Sequence, residues 1–255
     1  MAMKYKALML DIDGTLIPYD YAAMPSEKVI EAIKQAQEKL TVCLVTGRAF
    51  SSIKNILEKL EMKSGFAVIN NGANVIDLKT LKLIYDQPIN KDDVEKAMEI
   101  MHKHNIKFFA KRNMHEGIER SVSKNEKLES VYMFFAFEEY SSDQIEMVLK
   151  ELSDLPTIVA HKTRHKYPDK FGLNLSHVKA TKLHGVEIIL KTLEINKKDV
   201  IAVGDGYNDF SLLMAAGYKV AMGNAVEDLK AIADYIAPTV EEDGVVNVIN
   251  KLILR

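Results

Sequence analysis

Short apolar runs, each ending in polar or acidic residues, constrain the fold of this chain more than any other feature. Runs of this length suit strands that are covered on both faces, as in a parallel sheet. Helical patterns lie between the runs, so the alternation predicts strands joined by helical crossovers. The five runs are Tyr5–Leu10, Val42–Val45, Phe66–Ile69, Val200–Val203 and Tyr218–Met222.

The helical patterns have identifiable starts. Ser26 is an N-cap candidate, and the apolar residues that follow it share one helix face. A second apolar helix face follows Thr181, and a closing helix is predicted near Val245–Leu252. Strands that alternate with helices of this size predict a doubly wound, Rossmann-like α/β core with a parallel sheet.

The pattern changes in the middle of the chain. Helix candidates near Asp92–His104 and Ser141–Leu152 are interspersed with short strand candidates, and proline-bearing polar segments bracket the region. This predicts a smaller α+β unit inserted into the α/β domain. We therefore assign residues 1–85 and 177–255 to a catalytic core and residues 86–176 to an inserted cap domain.

Charge and cysteine content exclude several classes of partner and location. The formal net charge is -2, so no basic excess indicates nucleic acid. No apolar run approaches the roughly 20 residues that a membrane-spanning helix needs. Cys43 is the single cysteine, which excludes an intramolecular disulfide and favours a reducing cytosol. We expect a soluble, cytoplasmic protein.

Two aspartates follow the first predicted strand, in the segment Asp11–Thr15. Ligands of open α/β sheets bind beyond the carboxyl ends of the strands, and Gly14 permits a tight turn there. Two carboxylates in this place, Asp11 and Asp13, can divide labour: one attacks phosphorus, and the other protonates the leaving oxygen and later activates water. A solvated Asp-Gly turn after a core strand is the alternative interpretation.

A second acidic segment, Gly204–Asp209, follows the strand candidate Val200–Val203. Asp205 and Asp209 are four residues apart, so one helical turn brings them to the same side. Together with Asp11 and Asp13 they make four carboxylates, which repel one another unless a cation is present. Carboxylate oxygens are ligands that suit Mg²⁺, so Mg²⁺ is the predicted cofactor.

Two further segments suit phosphate. Thr46 and Gly47 follow the strand Val42–Val45, where a hydroxyl and free backbone amides bind anions. Arg48 next to them either faces the phosphate or lies at the surface, and the surface is favoured because surface arginines are frequent. A lysine near the start of the helix after the insert would keep Asp11 ionised; Lys182 is our choice and Lys179 the rival.

With these residues the chain resembles the haloacid dehalogenase superfamily of aspartate-nucleophile phosphatases, and more closely its Cof-type branch, which carries an α/β cap between the second and third motifs. The resemblance covers nearly the full length. It implies that Asp11 is the nucleophile and Asp13 the general acid/base. Dehalogenases of the superfamily lack the second aspartate, so Asp13 points to phosphate esters. Thr46 resembles the second motif and Lys182 the third.

The resemblance also implies further roles. Asp205 would bind the metal directly, Asp209 directly or through water, and Asp13 through its backbone carbonyl. Asn208 would touch the phosphate or hold the lysine. Segments 70–73 and 222–225 resemble two others common in this branch. The insert is short for the branch and is similar to the compact caps of archaeal phosphoglycolate phosphatases and small sugar-phosphate phosphatases.

The sequence therefore predicts a Mg²⁺-dependent phosphatase for a small phosphorylated metabolite, such as a sugar phosphate or phosphoglycolate. A phosphotransferase or phosphomutase of the same chemistry is the alternative. A non-catalytic sensor of a phosphorylated ligand is less favoured, because a binding module needs no nucleophile. The basic run His161–Lys166 either contacts an anionic end of the substrate or forms a solvated loop, which is commoner. A monomer and a small homo-oligomer are both compatible with the sequence.

Overall fold

The structure is a computed structural model that describes residues 4–20, 22–112, 122–123, 128–164 and 170–254. The chain divides into two compact units. The core unit comprises Met1–Arg48, Ser52–Tyr85 and Thr181–Arg255, and the inserted unit comprises Ala49–Ser51 and Asp86–Ala180.

In the described residues, the strands in chain order are β1 (Ala7–Leu10), β2 (Thr41–Val45), β3 (Phe66–Ile69), β4 (Asn74–Asp77), β5 (Lys82–Asp86), β6 (Phe109–Lys111), β7 (Met133–Tyr140), β8 (Ile158–Arg164), β9 (Phe171–His177), β10 (Val200–Gly204), β11 (Tyr218–Ala221) and β12 (Tyr235–Ile236). The α-helices are α1 (Glu27–Gln37), α2 (Phe50–Lys59), α3 (Lys91–Lys103), α4 (Ser142–Leu152), α5 (Lys182–Leu193), α6 (Asp209–Met214), α7 (Glu227–Ala231) and α8 (Gly244–Leu252). Short 3-10 turns lie at Asn70–Gly72, Lys197–Asp199 and Val240–Glu242.

The core unit is built on one sheet with the strand order β12-β11-β10-β1-β2-β3-β4-β5. β1 lies between β10 and β2 and is parallel to both, with Ala7 opposite Val200 on one side and Thr41 on the other. The α/β fold class predicted from the sequence is confirmed. One strand that the sequence did not predict, β4, runs antiparallel to β3, so the sheet is mixed. Its segment mixes polar and apolar residues, so no continuous apolar run marks it.

Burial explains why the apolar runs form strands. All four residues of β1 are 0% exposed, so both faces of the sheet are covered. On one face, Met9 and Cys43 belong to a cluster with apolar residues of α5 and α6. On the other, α1 contacts β2 and α8. The predicted N-cap forms, since the Ser26 hydroxyl accepts from the Val29 amide at 3.2 Å. Thr181 also caps its helix, because its hydroxyl accepts from the His184 amide at 3.3 Å.

The strand order reverses at β1, because the first crossovers lead to β2 and β3 whereas β10 returns to the opposite side of β1. Ligands of doubly wound sheets bind at such a switch point, beyond the carboxyl ends of the strands. Asp11 follows β1, Thr46 follows β2 and Asp205 follows β10. The topology therefore gathers all three segments at one place.

The inserted unit has its own antiparallel sheet, with the order β6-β7-β9-β8. Phe134 and Leu173 of that sheet form a core with apolar residues of α3 and α4. The solvated-loop interpretation of the basic run is wrong for its first part, because His161–Arg164 is strand. Lys162 donates to Ser142 Oγ and Glu146 Oε1, both at 2.8 Å. The side chain of Arg164, and residues 165–166, lie outside the described residues.

No helix in the described ranges is both long enough and apolar enough to cross a bilayer.

Candidate active site

Asp11 is the first residue beyond β1. It is 5% exposed, and its amide donates to the Val203 carbonyl at 3.0 Å, which ties it to β10. The chain then turns at Gly14, whose φ is +77°, and a Cβ there would lie 2.3 Å from Asp205 Oδ2. The Thr15 hydroxyl donates to Asp205 Oδ1 at 3.0 Å. Only glycine permits both the backbone turn and this close approach of the two acidic segments.

Lys182 lies at the centre of the acidic residues. Its side chain is 1% exposed, and Nζ donates to Asp11 Oδ1 and to Asp209 Oδ1, both at 2.6 Å. It is the first residue of α5, directly after the N-cap Thr181. Glycine at position 72 lets the chain approach this helix start closely, because a Cβ at Gly72 would lie 2.0 Å from the Thr181 carbonyl oxygen. The rival, Lys179, is exposed.

Asp209 is fully buried at the start of α6. Its Oδ2 accepts from the backbone amides of Asp205 and Gly206, both at 2.9 Å, whereas its Oδ1 accepts from Lys182. Both carboxylate oxygens therefore have protein donors. Asp209 fixes the loop that carries Asp205 and places a negative charge beside Lys182.

Three carboxylates converge within the core unit. One oxygen each of Asp11, Asp205 and Asp209 lie within 4.8 Å of one another, and all three residues are buried. Against three potential negative charges, Lys182 supplies one positive charge. This donor set fits a divalent cation, since buried carboxylates at such distances repel one another and hard cations prefer oxygen ligands.

Burial and charge shift the pKa values of these groups. Burial raises the pKa of Asp11 well above its usual value, and the Asp209 charge adds to this while Lys182 opposes it. Burial raises the pKa of Asp205 to about 6, although hydrogen bonds from Tyr19 and Thr15 oppose the rise. Burial by itself lowers the pKa of Lys182, but the charges of Asp11 and Asp209 outweigh it and raise that pKa overall. A bound cation would favour the ionised carboxylates.

Asp13 does not join the carboxylate group. Its side chain forms a two-pronged ion pair with Arg48, whose Nη2 lies 2.6 Å from Oδ1 and whose Nε lies 3.0 Å from Oδ2. The preference for a surface position of Arg48 is wrong, because Arg48 is 7% exposed. The planar guanidinium matches a carboxylate at two points, and this pairing compensates for its burial.

Three phosphate-site candidates lie close together at the ends of β2 and β10. Thr46 is 0% exposed, and its hydroxyl accepts from the Arg48 amide at 3.1 Å, which leaves the hydroxyl hydrogen to donate. A Cβ at Gly47 would lie 2.8 Å from Asn71 Oδ1. Asn208 Nδ2 lies 3.5 Å from the same Asn71 oxygen. Asn71 thus links Gly47 to Asn208.

Two contacts of this site were not predicted from the sequence. The Tyr19 hydroxyl donates to Asp205 Oδ2, and burial together with this hydrogen bond raises the pKa of Tyr19. Asn224 Nδ2 donates to the Gly14 carbonyl at 2.8 Å, and Asn224 Oδ1 accepts from the Val240 amide at 2.9 Å. The family-like segment 222–225 gave a signal for Asn224. No local pattern marks Tyr19, which lies 186 positions from Asp205.

Known proteins resemble this chain along nearly its full length. The family described as haloacid dehalogenase-like hydrolase matches residues 8–249. The 5-amino-6-(5-phospho-D-ribitylamino)uracil phosphatase YcsE of Bacillus subtilis is 27% identical over 254 residues, covering 98% of this chain and 96% of that protein. Phosphoglycolate phosphatase 1 of Saccharolobus solfataricus is 27% identical over 251 residues, covering 97% and 96%.

A solved structure shares the fold. The crystal structure of a haloacid dehalogenase-like hydrolase from Bacteroides thetaiotaomicron has a TM-score of 0.80 and 25% sequence identity, and the match covers 98% of this chain and 100% of that one.

Proposed function

Because the chain belongs to the haloacid dehalogenase-like hydrolase family, we propose that it is a Mg²⁺-dependent phosphatase that hydrolyses a small phosphorylated metabolite through a phospho-aspartate on Asp11. Its class as a phosphoric monoester hydrolase follows from the family and from the phosphatases it resembles. The observation that carries the finer proposal is the buried Asp11 carboxylate held by Lys182 beside two further buried aspartates.

Asp11 is the proposed nucleophile. Lys182 engages Oδ1, so we assign the attack on phosphorus to Oδ2. A bond forms between this oxygen and phosphorus while the bond from phosphorus to the leaving oxygen breaks. The Lys182 ammonium offsets the negative charge of the transferring group, which is the main requirement of phosphoryl transfer.

Asp13 is the proposed general acid and base. In its protonated form it gives a proton to the leaving oxygen; as a carboxylate it then takes a proton from the water that attacks phosphorus. That attack breaks the bond between Asp11 and phosphorus and releases inorganic phosphate, so the enzyme returns to its starting state. Arg48 orients the Asp13 carboxylate through its two-point contact.

The proposed Mg²⁺ ligands are Asp11, Asp13, Asp205 and Asp209. Asp11 and Asp205 bring side-chain oxygens, and the family resemblance implies the backbone carbonyl of Asp13 and the Asp209 carboxylate, the latter directly or through water. When bound, the ion neutralises charge on the phosphoryl group. Thr15 and Tyr19 hold the Asp205 carboxylate in place through its two oxygens.

The phosphate group of the substrate is assigned to Thr46, Gly47, Lys182 and Asn208. Thr46 offers a hydroxyl hydrogen and Asn208 a side-chain amide, so together with the lysine they present donors to an anion, and Gly47 lies next to Thr46 in the chain. The role of the inserted unit as a substrate-specificity cap stays a prediction from the family resemblance. The two named relatives act on different phosphate esters at equal identity, so similarity to them selects no particular metabolite. A cytoplasmic location stays a prediction from the single cysteine.

The test is phosphate release from a panel of sugar phosphates, phosphoglycolate and nucleotides, with Mg²⁺ and with a chelator. Asp11→Asn should abolish turnover and retain ligand binding, because the amide keeps the shape but lacks the nucleophilic charge. The Asp13→Asn variant is given p-nitrophenyl phosphate, whose leaving group departs without a general acid. We expect Asp11 to become phosphorylated and the adduct to persist, because the variant lacks the base that activates water. Intact-mass analysis should detect this adduct.

Three results would contradict the proposal: turnover by Asp11→Asn, full activity in chelator, or an adduct on another residue. Release of phosphate without any acceptor separates hydrolysis from transfer to a second metabolite. Ligand binding by the wild type without turnover of any substrate would instead favour the sensor.

A further inference from the structure

The edge strand β5 is the feature outside the active site that most calls for an explanation. β4 lies beside it, and within the described ranges no strand follows on its outer side. Four of its five residues are exposed. Leu83 and Ile84 are 38% and 37% exposed although neighbouring side chains in a strand point to opposite faces. An edge strand of this kind is a template for pairing with another strand.

The opposite edge of the same sheet is protected in a usual way. β12 is only two residues long, and a very short edge strand offers little to pair with. β5 has defined ends instead. Asp77 Oδ1 accepts from the amides of Lys79 and Thr80, at 2.8 and 3.0 Å, and so fixes the turn before it. Pro88, which has no amide hydrogen, ends the segment that can pair.

The sequence of β5, Lys-Leu-Ile-Tyr-Asp, is complementary to itself when two copies run antiparallel. With the two-fold axis at Ile84, Lys82 of one copy lies opposite Asp86 of the other. The symmetry gives the dimer two such pairs. Leu83 then lies opposite Tyr85, and Ile84 opposite its own copy. A shift of two residues in either direction leaves neither Lys82 opposite Asp86, so charge selects the centred register.

From this complementarity we propose that the chain forms a two-fold symmetric homodimer in which the β5 strands of two copies pair antiparallel, centred on Ile84, and join two core sheets into one. A contact through a five-residue strand buries little area compared with a standard protein–protein interface, which buries roughly 1,600 Å². The dimer therefore dissociates on dilution. The surface is isologous, so assembly stops at two copies.

The test is sedimentation velocity of the full chain over a wide range of concentrations, which reads assembly and not catalysis. We expect the wild type to shift from monomer to dimer as concentration rises. Ile84→Lys places two lysines opposite each other and should leave only monomer. The matched control is Ile236→Lys on β12, which is 51% exposed at the other edge of the sheet and should leave the dimer unchanged.

A charge exchange tests the register. Lys82→Asp and Asp86→Lys each place like charges opposite each other and should weaken the dimer about tenfold or more, whereas the double variant restores opposite charges and should restore the dimer. Circular dichroism and phosphate release confirm that each variant folds. A wild type that stays monomeric throughout, an Ile84→Lys variant that dimerises like the wild type, or a double variant without recovery would overturn the proposal.

Discussion

Among the described residues, the core unit and the inserted unit each bury one lysine, and the pKa values of the two lysines shift in opposite directions. Lys182 in the core unit is 1% exposed and lies 2.6 Å from two carboxylates. Lys111 in the inserted unit is 7% exposed, and its Nζ lies 5.2 Å from the centre of the Phe135 ring. Burial lowers the pKa of Lys111 to about 8, whereas the carboxylates raise the pKa of Lys182.

The difference shows that burial alone does not decide the pKa of a lysine. Desolvation disfavours the ammonium in both units. In the core unit the charges of Asp11 and Asp209 outweigh it, whereas the pKa of Lys111 stays lowered. A lysine that stays charged in a buried site can hold an aspartate ionised and neutralise a phosphoryl group. A lysine with a lowered pKa instead costs folding energy whenever it is protonated.

The largest expected effect comes from removing the core lysine. Lys182→Met should lower kcat for phosphate release by about 10²–10³-fold, because Asp11 loses its charged donor. Lys179→Met is the matched control: that lysine is exposed, and its loss should leave kcat unchanged. An active Lys182→Met variant together with an inactive Lys179→Met variant would reverse our choice between the two lysines.

The inserted unit should respond in the opposite direction. Lys111→Met should raise the free energy of unfolding at pH 7 by up to about 3 kcal/mol, because a protonated lysine is removed from a buried site. Between pH 8 and 10.5 the folded protein holds this lysine neutral while the unfolded chain still binds the proton. Wild-type stability therefore rises with pH in this window, and the advantage of the variant shrinks.

Urea unfolding at pH 7 and at pH 10 measures this difference. Lys103→Met in the same unit is the control, because its ion pair with Glu151 is exposed and should contribute little to stability at either pH. A Lys111→Met variant that is destabilised equally at both pH values would contradict the prediction. It would show that Lys111 of the folded protein is still charged at pH 10.

The smallest effect compares one helix N-cap in each unit. Thr181 caps α5 and Ser141 caps α4, and each hydroxyl accepts one amide hydrogen. Replacing either by alanine should cost about 1 kcal/mol of stability. Only Thr181→Ala should also lower kcat, because Lys182 is the next residue. Equal kcat values for the two variants would mean that the cap does not position the lysine.

Much of the fold and of the candidate site was predictable from the sequence. Apolar runs and N-cap residues are local signals, so they predicted β1, β2, β3, β10 and β11 and the helices that follow Ser26 and Thr181. The position of Asp11, Thr46 and Asp205 directly after three such runs was enough to expect them at one sheet edge. The fold class and the family resemblance are confirmed. The catalytic and ligand roles of individual residues stay predictions.

The tertiary structure alone decided which side chains meet. Arg48 pairs with Asp13 across 35 positions, Tyr19 reaches Asp205 across 186, and Asn224 reaches Gly14 across 210. It also decided that Lys182 stands between Asp11 and Asp209 while Lys111 lies against an aromatic ring. Periodicity and capping act within a few residues, so sequence can fix where a strand or helix begins. The charge and hydrogen bonding of a buried group depend on neighbours that folding brings from distant segments.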